Sequence, residues 1–218
     1  MTIPTTYAEL QTAIAADLSR SDLTAELPNF INKGEAVINR RLRSLAMETR
    51  LTTLSLTAAA DSIALPAGYL ENFGLRYNAT NFKPTQLGYE AFEERLAYPG
   101  TTTDYPPLYY LGDKIYFNIA ATSTQAMTMR YLKKWDIASD STNALLTSDP
   151  DVYLYAGLLA SLTKTGPHER GQVWADAFDA AINDLNLIAR RSRKNARLKV
   201  DPALTRGGRF DVNSGGYV

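Results

Sequence analysis

Between Asp149-Pro150 and Gly166-Pro167 the chain runs from Val152 to Leu162 with almost nothing polar on any side. The punctuation reads as one helix, because an aspartate before a proline suits a helix start and glycine followed by proline both stops a helix and blocks its continuation. A helix that is apolar all round has no side it can show to water, so other elements must enclose it. The fold therefore has to be one that surrounds this segment.

The enclosing partners are found at both ends of the chain. A short helical segment from about Tyr7 to Asp17 precedes a longer one from about Glu26 to Leu45, in which Leu27, Phe30, Ile31, Gly34, Val37, Ile38, Leu42 and Leu45 recur at three- and four-residue steps along one face. Pro28 fits only if that helix begins close to it. The opposite face, with Asn32, Lys33, Glu35, Asn39 and Arg40, is expected to be solvated. After the Gly166-Pro167 break a long helix from about His168 to Asn195 places Trp174, Phe178, Ala181, Leu185 and Ile188 at alternating steps of four and three, which is a packing seam.

The middle of the chain changes period. Leu51, Leu54 and Leu56, then Ile63 to Leu65, look extended, and frequent proline and glycine predict short strands. Leu108 to Leu111 and Ile115 to Phe117, joined by Gly112-Asp113-Lys114, form a hairpin pattern. Met127 to Trp135 is a further strand, and Tyr89 to Leu96 a short helix. The fold class predicted is α+β: a helical bundle from residues 1-46 and 137-200, a small antiparallel β module inserted over 47-136, and an extended C-terminal arm over 201-218, where proline and glycine are frequent and apolar residues few.

Charge sharpens this division. The net charge is zero, but residues 187-218 hold eight bases against two acids, leaving this end at +6 and the rest at −6. The basic end suits an acidic surface, whether partner protein, nucleic acid or a neighbouring copy. The run from Arg190 to Lys199 also suits the negative dipole end of a long helix, and both readings stay open. No apolar run approaches the roughly 18 residues of a membrane span, so no membrane contact is expected. The first residues lack the pattern of a secretory signal, and the chain has no cysteine, which excludes disulfides and thiolate metal sites and favours synthesis in the cytoplasm.

Catalysis would need a constellation of groups, and none can be assembled. The single histidine, His168, follows a helix break and is expected to be a solvated first-turn residue. Asp149 and Asp151 read as helix-start acids, and Glu93 and Glu94 are adjacent, so on a helix they diverge by about 100°. No nucleophile elbow, phosphate loop, dinucleotide fingerprint or two-histidine metal pattern occurs, so no enzyme activity, metal or cofactor is expected. Nine of the thirteen tyrosines fall within the β module. They suit either a sandwich interior and surface or a protein interface, with Tyr109, Tyr110 and Tyr116 near the hairpin as the interface candidates.

Four stretches carry a family likeness: Leu65 to Glu71, Tyr110 to Asn118, Met129 to Trp135, and Asn143 to Tyr155. In this order, with the N-terminal helices and basic tail, they resemble the head-to-tail adaptor proteins of tailed bacteriophages. The resemblance implies a structural virion protein at the portal vertex, forming a ring of twelve copies beneath the portal protein, offering a platform to a tail or nozzle protein, and bounding a channel through which genomic DNA passes. It also implies a C-terminal extension that reaches along the portal. Arg197, Lys199, Arg206 and Arg209 would pair there with acidic groups, while Phe210 and Val212, alternating as in a strand, would add an edge to a partner's sheet. Two alternatives are a tail-completion or nozzle protein and a nucleic-acid-binding module. The second would need aromatic residues interleaved with the bases, and none stands between Arg190 and Arg209.

Overall fold

The computed structural model describes residues 3–20, 22–98, 100–101, 103–195, 210–211 and 216–217. Helices α1 (Tyr7–Leu18) and α2 (Leu27–Arg41) lead into strands β1 (Glu48–Leu56), β2 (Ser62–Ala64), β3 (Tyr69–Tyr77) and β4 (Thr85–Gln86). Helix α3 (Tyr89–Ala97) then precedes β5 (Leu108–Leu111), β6 (Lys114–Phe117) and β7 (Gln125–Lys133). Helices α4 (Ile137–Asp140), α5 (Ala144–Ser148), α6 (Pro150–Thr165) and α7 (Gly171–Asn195) follow, with a small antiparallel pair, β8 (Phe210–Asp211) and β9 (Gly216–Tyr217). The class is α+β.

Helix α6 is the apolar segment, and it is enclosed. Val152, Tyr153, Leu154, Ala156 and Leu158 are buried in one cluster with Leu10 and Ile14 of α1, Phe30, Ile31 and Ile38 of α2, and Trp174, Phe178 and Ile182 of α7. Helices α2 and α6 meet backbone to backbone: a Cβ on Gly34 would stand 2.8 Å from the carbonyl carbon of Ala156. Such a crossing is open only to glycine. Asp149 does not cap α6 with its side chain as a helix-start acid would; its Oδ2 accepts instead from Ser148 Oγ, 2.6 Å away.

Two features of α2 depart from its periodicity. The helix stops at Arg41, where Leu42 turns extended, and Leu45 falls in a single 3-10 turn, 40% exposed. More consequentially, Glu35 and Asn39 leave the solvated face, the second only half-buried. Glu35 is buried, its Oε1 accepting from Tyr153 Oη at 2.8 Å and from the Ile137 amide at 2.9 Å. Asn143 caps α5 by accepting from the Leu146 amide and donates to the Tyr153 hydroxyl at 2.7 Å, so the network runs from one helix start to another. One turn on, Asn39 exchanges two hydrogen bonds with the backbone of Trp135, and Arg43 reaches Glu71 of β3 at 3.3 Å. In α7 the seam settles on Trp174, Phe178, Ile182 and Ala189, with Ile188 exposed, because an untwisted helix advances by 3.6 residues per turn and drifts off a strict seven-residue repeat.

The strands form two stacked sheets, β1-β7-β3 and β2-β6-β5-β4. Their inner faces share a core of Leu54, Leu56, Leu75, Tyr77, Met127, Met129 and Tyr131 against Tyr109, Ile115 and Phe117. Three strands, β1, β3 and β7, run to nine residues each, longer than the glycine and proline punctuation predicts. Strand β3 passes through Gly74 at a register irregularity, so the glycine bends the strand without ending it. The second sheet is not wholly antiparallel. Strands β4 and β5 pair in parallel, and the crossover that parallel strands require is supplied by α3.

Burial raises the Glu35 carboxyl above its ordinary value, outweighing the hydrogen bonds from Tyr153 and Ile137. Its folded state thus holds a proton that the unfolded state releases. The stability this gives is complete below pH 4.5, the ordinary value, and is lost as pH rises through the raised folded value. Denaturant unfolding of Glu35→Gln should show a flatter pH dependence than wild type across that window. Glu35→Ala should cost about 2–5 kcal/mol, because two buried donors lose their acceptor. By the same assay Gly34→Ala should cost about 1–3 kcal/mol by prising α2 from α6.

Candidate functional site

Alternation along β7 decides what each sheet face offers. Met127, Met129 and Tyr131 point into the sandwich, so Thr128, Arg130 and Leu132 point out of it. At Leu132 this outer face is covered, since that residue belongs to the helical core. At Arg130 and Thr128 it opens. The register sets Arg50 of β1 directly opposite Arg130, with Gly74 of β3 on the other side and Arg76 opposite Thr128. Together with Lys83 and Phe73 they line a groove of about 450 Å³.

The groove is strongly cationic. Arg130 pairs with Glu48 at 3.2 Å, and Arg76 donates to Asn81 Oδ1 at 3.0 Å. Among the described residues, Arg50 and Lys83 take part in no ion pair. Like charges directly opposite on neighbouring strands repel, so the Arg50–Arg130 row is a cost that an anionic partner would offset. Phe73 adds an apolar ring, 37% exposed, beside the charges. Such a surface can bind carboxylates or phosphates.

The tyrosines named from the sequence separate on the same principle. Tyr109 is 2% exposed inside the sandwich, its hydroxyl accepting from Asn72 at 2.7 Å. Tyr110 and Tyr116 lie on the outer face of the second sheet with their rings stacked at 6.3 Å. Tyr89 and Phe92 of α3 pack on Tyr110, and the Tyr116 hydroxyl donates to Asp113 at 2.6 Å. Of the tail candidates, Arg197, Lys199, Arg206, Arg209 and Val212 lie outside the described residues. Phe210 is in β8, paired with Tyr217 of the same chain.

His168 stacks on Trp174 at 4.8 Å, and its Nδ1 accepts from the Arg170 amide at 3.1 Å, which makes it part of the turn that starts α7. Among the described residues no three acidic or imidazole groups gather closely enough to hold a metal ion, and no helix is long and apolar enough to cross a membrane.

Compared with known families, the sequence matches the profile described as SU10 adaptor protein over residues 5–201. The chain belongs to the SU10 adaptor family. It is accordingly a bacteriophage head-to-tail adaptor, a structural protein. No curated protein matches it. The SU10 adaptor match takes in both sheets of the sandwich and helices α1 to α7, and the last seventeen residues, with the β8–β9 pair, fall beyond it.

The cationic groove was not found from the sequence, because its residues come from three strands and a loop within a stretch that is acidic in sum. The one available signal was that Arg50 and Arg130 each stand beside an inward apolar residue, Leu51 and Met129. If the row is strained by repulsion, Arg50→Thr should stabilise the protein by about 0.2–1 kcal/mol at low salt. Chemical denaturation in rising salt should show that gain shrinking.

Proposed function

We propose that this adaptor forms a closed ring, of twelve copies, beneath the portal of the capsid, presents a platform to a tail or nozzle protein, and bounds part of the channel through which the genome leaves. The observation that carries the reading is the family match over residues 5–201. Ring formation follows when a head-to-tail contact repeats with a rotation that closes.

In this reading the chain divides into a helical core of residues 1-46 and 137-200, a projecting β module of 47-136, and a docking arm of 201-218. The arm uses Arg197, Lys199, Arg206 and Arg209 to pair with acidic groups of the portal or a neighbour, and Phe210 and Val212 to extend a partner's sheet. Ordering such a segment costs about 1–2 kcal/mol per residue in backbone entropy, and with few apolar side chains of its own it depends on its partner for the return. Tyr110 and Tyr116, on the outer face of the second sheet beside α3, contribute contacts to a neighbour or the tail layer in this reading.

Deletion from Asp201 onward should leave thermal unfolding unchanged and abolish co-sedimentation with portal. Unchanged binding would rule out the arm as the attachment. Charge reversal at Arg206 and Arg209 should weaken attachment more at low salt than at high salt. Native mass spectrometry of the portal complex should count twelve copies, and one or two per portal would end the ring reading.

A further inference from the structure

The groove on the first sheet has a counterpart on the opposite side of the same sandwich. Tyr109, Ile115 and Phe117 point into the shared core, so Tyr110 and Tyr116 point away from it, and α3 lies on that far face through Tyr89 and Phe92. With Phe92 buried, the side of α3 opposite it carries Glu90, Glu93 and Glu94, all exposed, while the one cation of the helix, Arg95, is exposed on its flank. At about 100° per residue these three carboxylates fall within about 100° of arc, one acidic stripe. Tyr98, 84% exposed, stands just past its end.

One face of the sandwich is thus acidic with an exposed aromatic ring. The other holds Arg50, Arg76, Lys83 and Arg130 around Phe73. Opposite faces of one body with opposite charge cannot satisfy each other within a subunit, but they can between copies. We infer that the acidic face of α3 in one copy docks on the cationic groove of the next, making this pair of surfaces the head-to-tail contact between adjacent subunits. The inference rests on the ring reading above and supplies its contact. The charges fit: three carboxylates meet four cations, one of which already shares Glu48. The two patches differ, so the contact is heterologous, the kind that closes into a ring when its rotation allows.

Because the chain has no cysteine, a pair of introduced ones reports contacts cleanly. In the complex with portal, oxidised Arg50→Cys/Glu94→Cys protein should give a ladder of covalent multimers, since the two positions sit on opposite faces and cannot bridge within one subunit. In the chain without introduced cysteines, reversing the stripe with Glu90→Lys, Glu93→Lys and Glu94→Lys should abolish assembly on portal as counted by native mass spectrometry, as should Arg50→Glu with Arg76→Glu and Arg130→Glu. Joining both sets of changes in one chain should restore it, which a mere folding defect would not permit. If wild type assembles and the Glu90, Glu93, Glu94 variant assembles equally, this contact is wrong while the ring reading stands. If wild type forms no multimer on portal, the ring reading falls and the contact with it. If the arginine variant assembles normally and instead loses affinity for duplex DNA, the groove serves phosphates and the inference is overturned.

Discussion

Helix α2 and the residues just past its end hold the structure together through three polar side chains, Glu35 and Asn39, one turn apart, and Arg43 beyond the last turn. Each grips something outside the helix. Glu35 accepts from Ile137 and Tyr153, Asn39 closes a two-way bond with Trp135, and Arg43 reaches Glu71 while donating to the carbonyls of Asn39, Arg40 and Leu42 around the end of α2. The segment leaving β7 is thereby fixed to the helix that precedes β1. Glu35 is buried and Asn39 half-buried, and such groups are costly when only partly satisfied, so moving the end of β7 away from α2 breaks several bonds together.

Packing reinforces that constraint. On its apolar side α2 meets α6 at Gly34, close enough that no side chain fits between the backbones, and α7 closes over both through Trp174, Phe178 and Ile182. The carbonyl of Arg41 and the amide of Arg43 are bonded by Asn186 of α7, at 3.0 and 2.8 Å. The same helix is thus held from three directions.

Helix α6 was readable because its composition and punctuation agree, and the hairpin of β5 and β6 because its turn is local. Glu35 and Asn39 were misplaced because a helical period marks polar positions without saying which of them meet a buried partner. The parallel pairing of β4 with β5 was missed because strand direction is set by the crossover, and the groove because a charge tally along the chain cannot see that Arg50 and Arg130 become neighbours. Ile182 and Ala189 displaced Ile188 for a geometric reason, the difference between 3.5 and 3.6 residues per turn.

Strands β1 and β7 are the incoming and outgoing ends of the intervening chain, and they lie side by side, Glu48 opposite Leu132. The helices meet this neck and the start of β3, where Leu70 packs on the helical core and Glu71 pairs with Arg43. What lies beyond it can grow or be exchanged without moving either end, and doubling the length of such a loop costs about 0.6 kcal/mol in closure entropy. A change of length at the far ends of these strands therefore leaves the pairing of Glu48 with Leu132, and the helices anchored behind it, where they are.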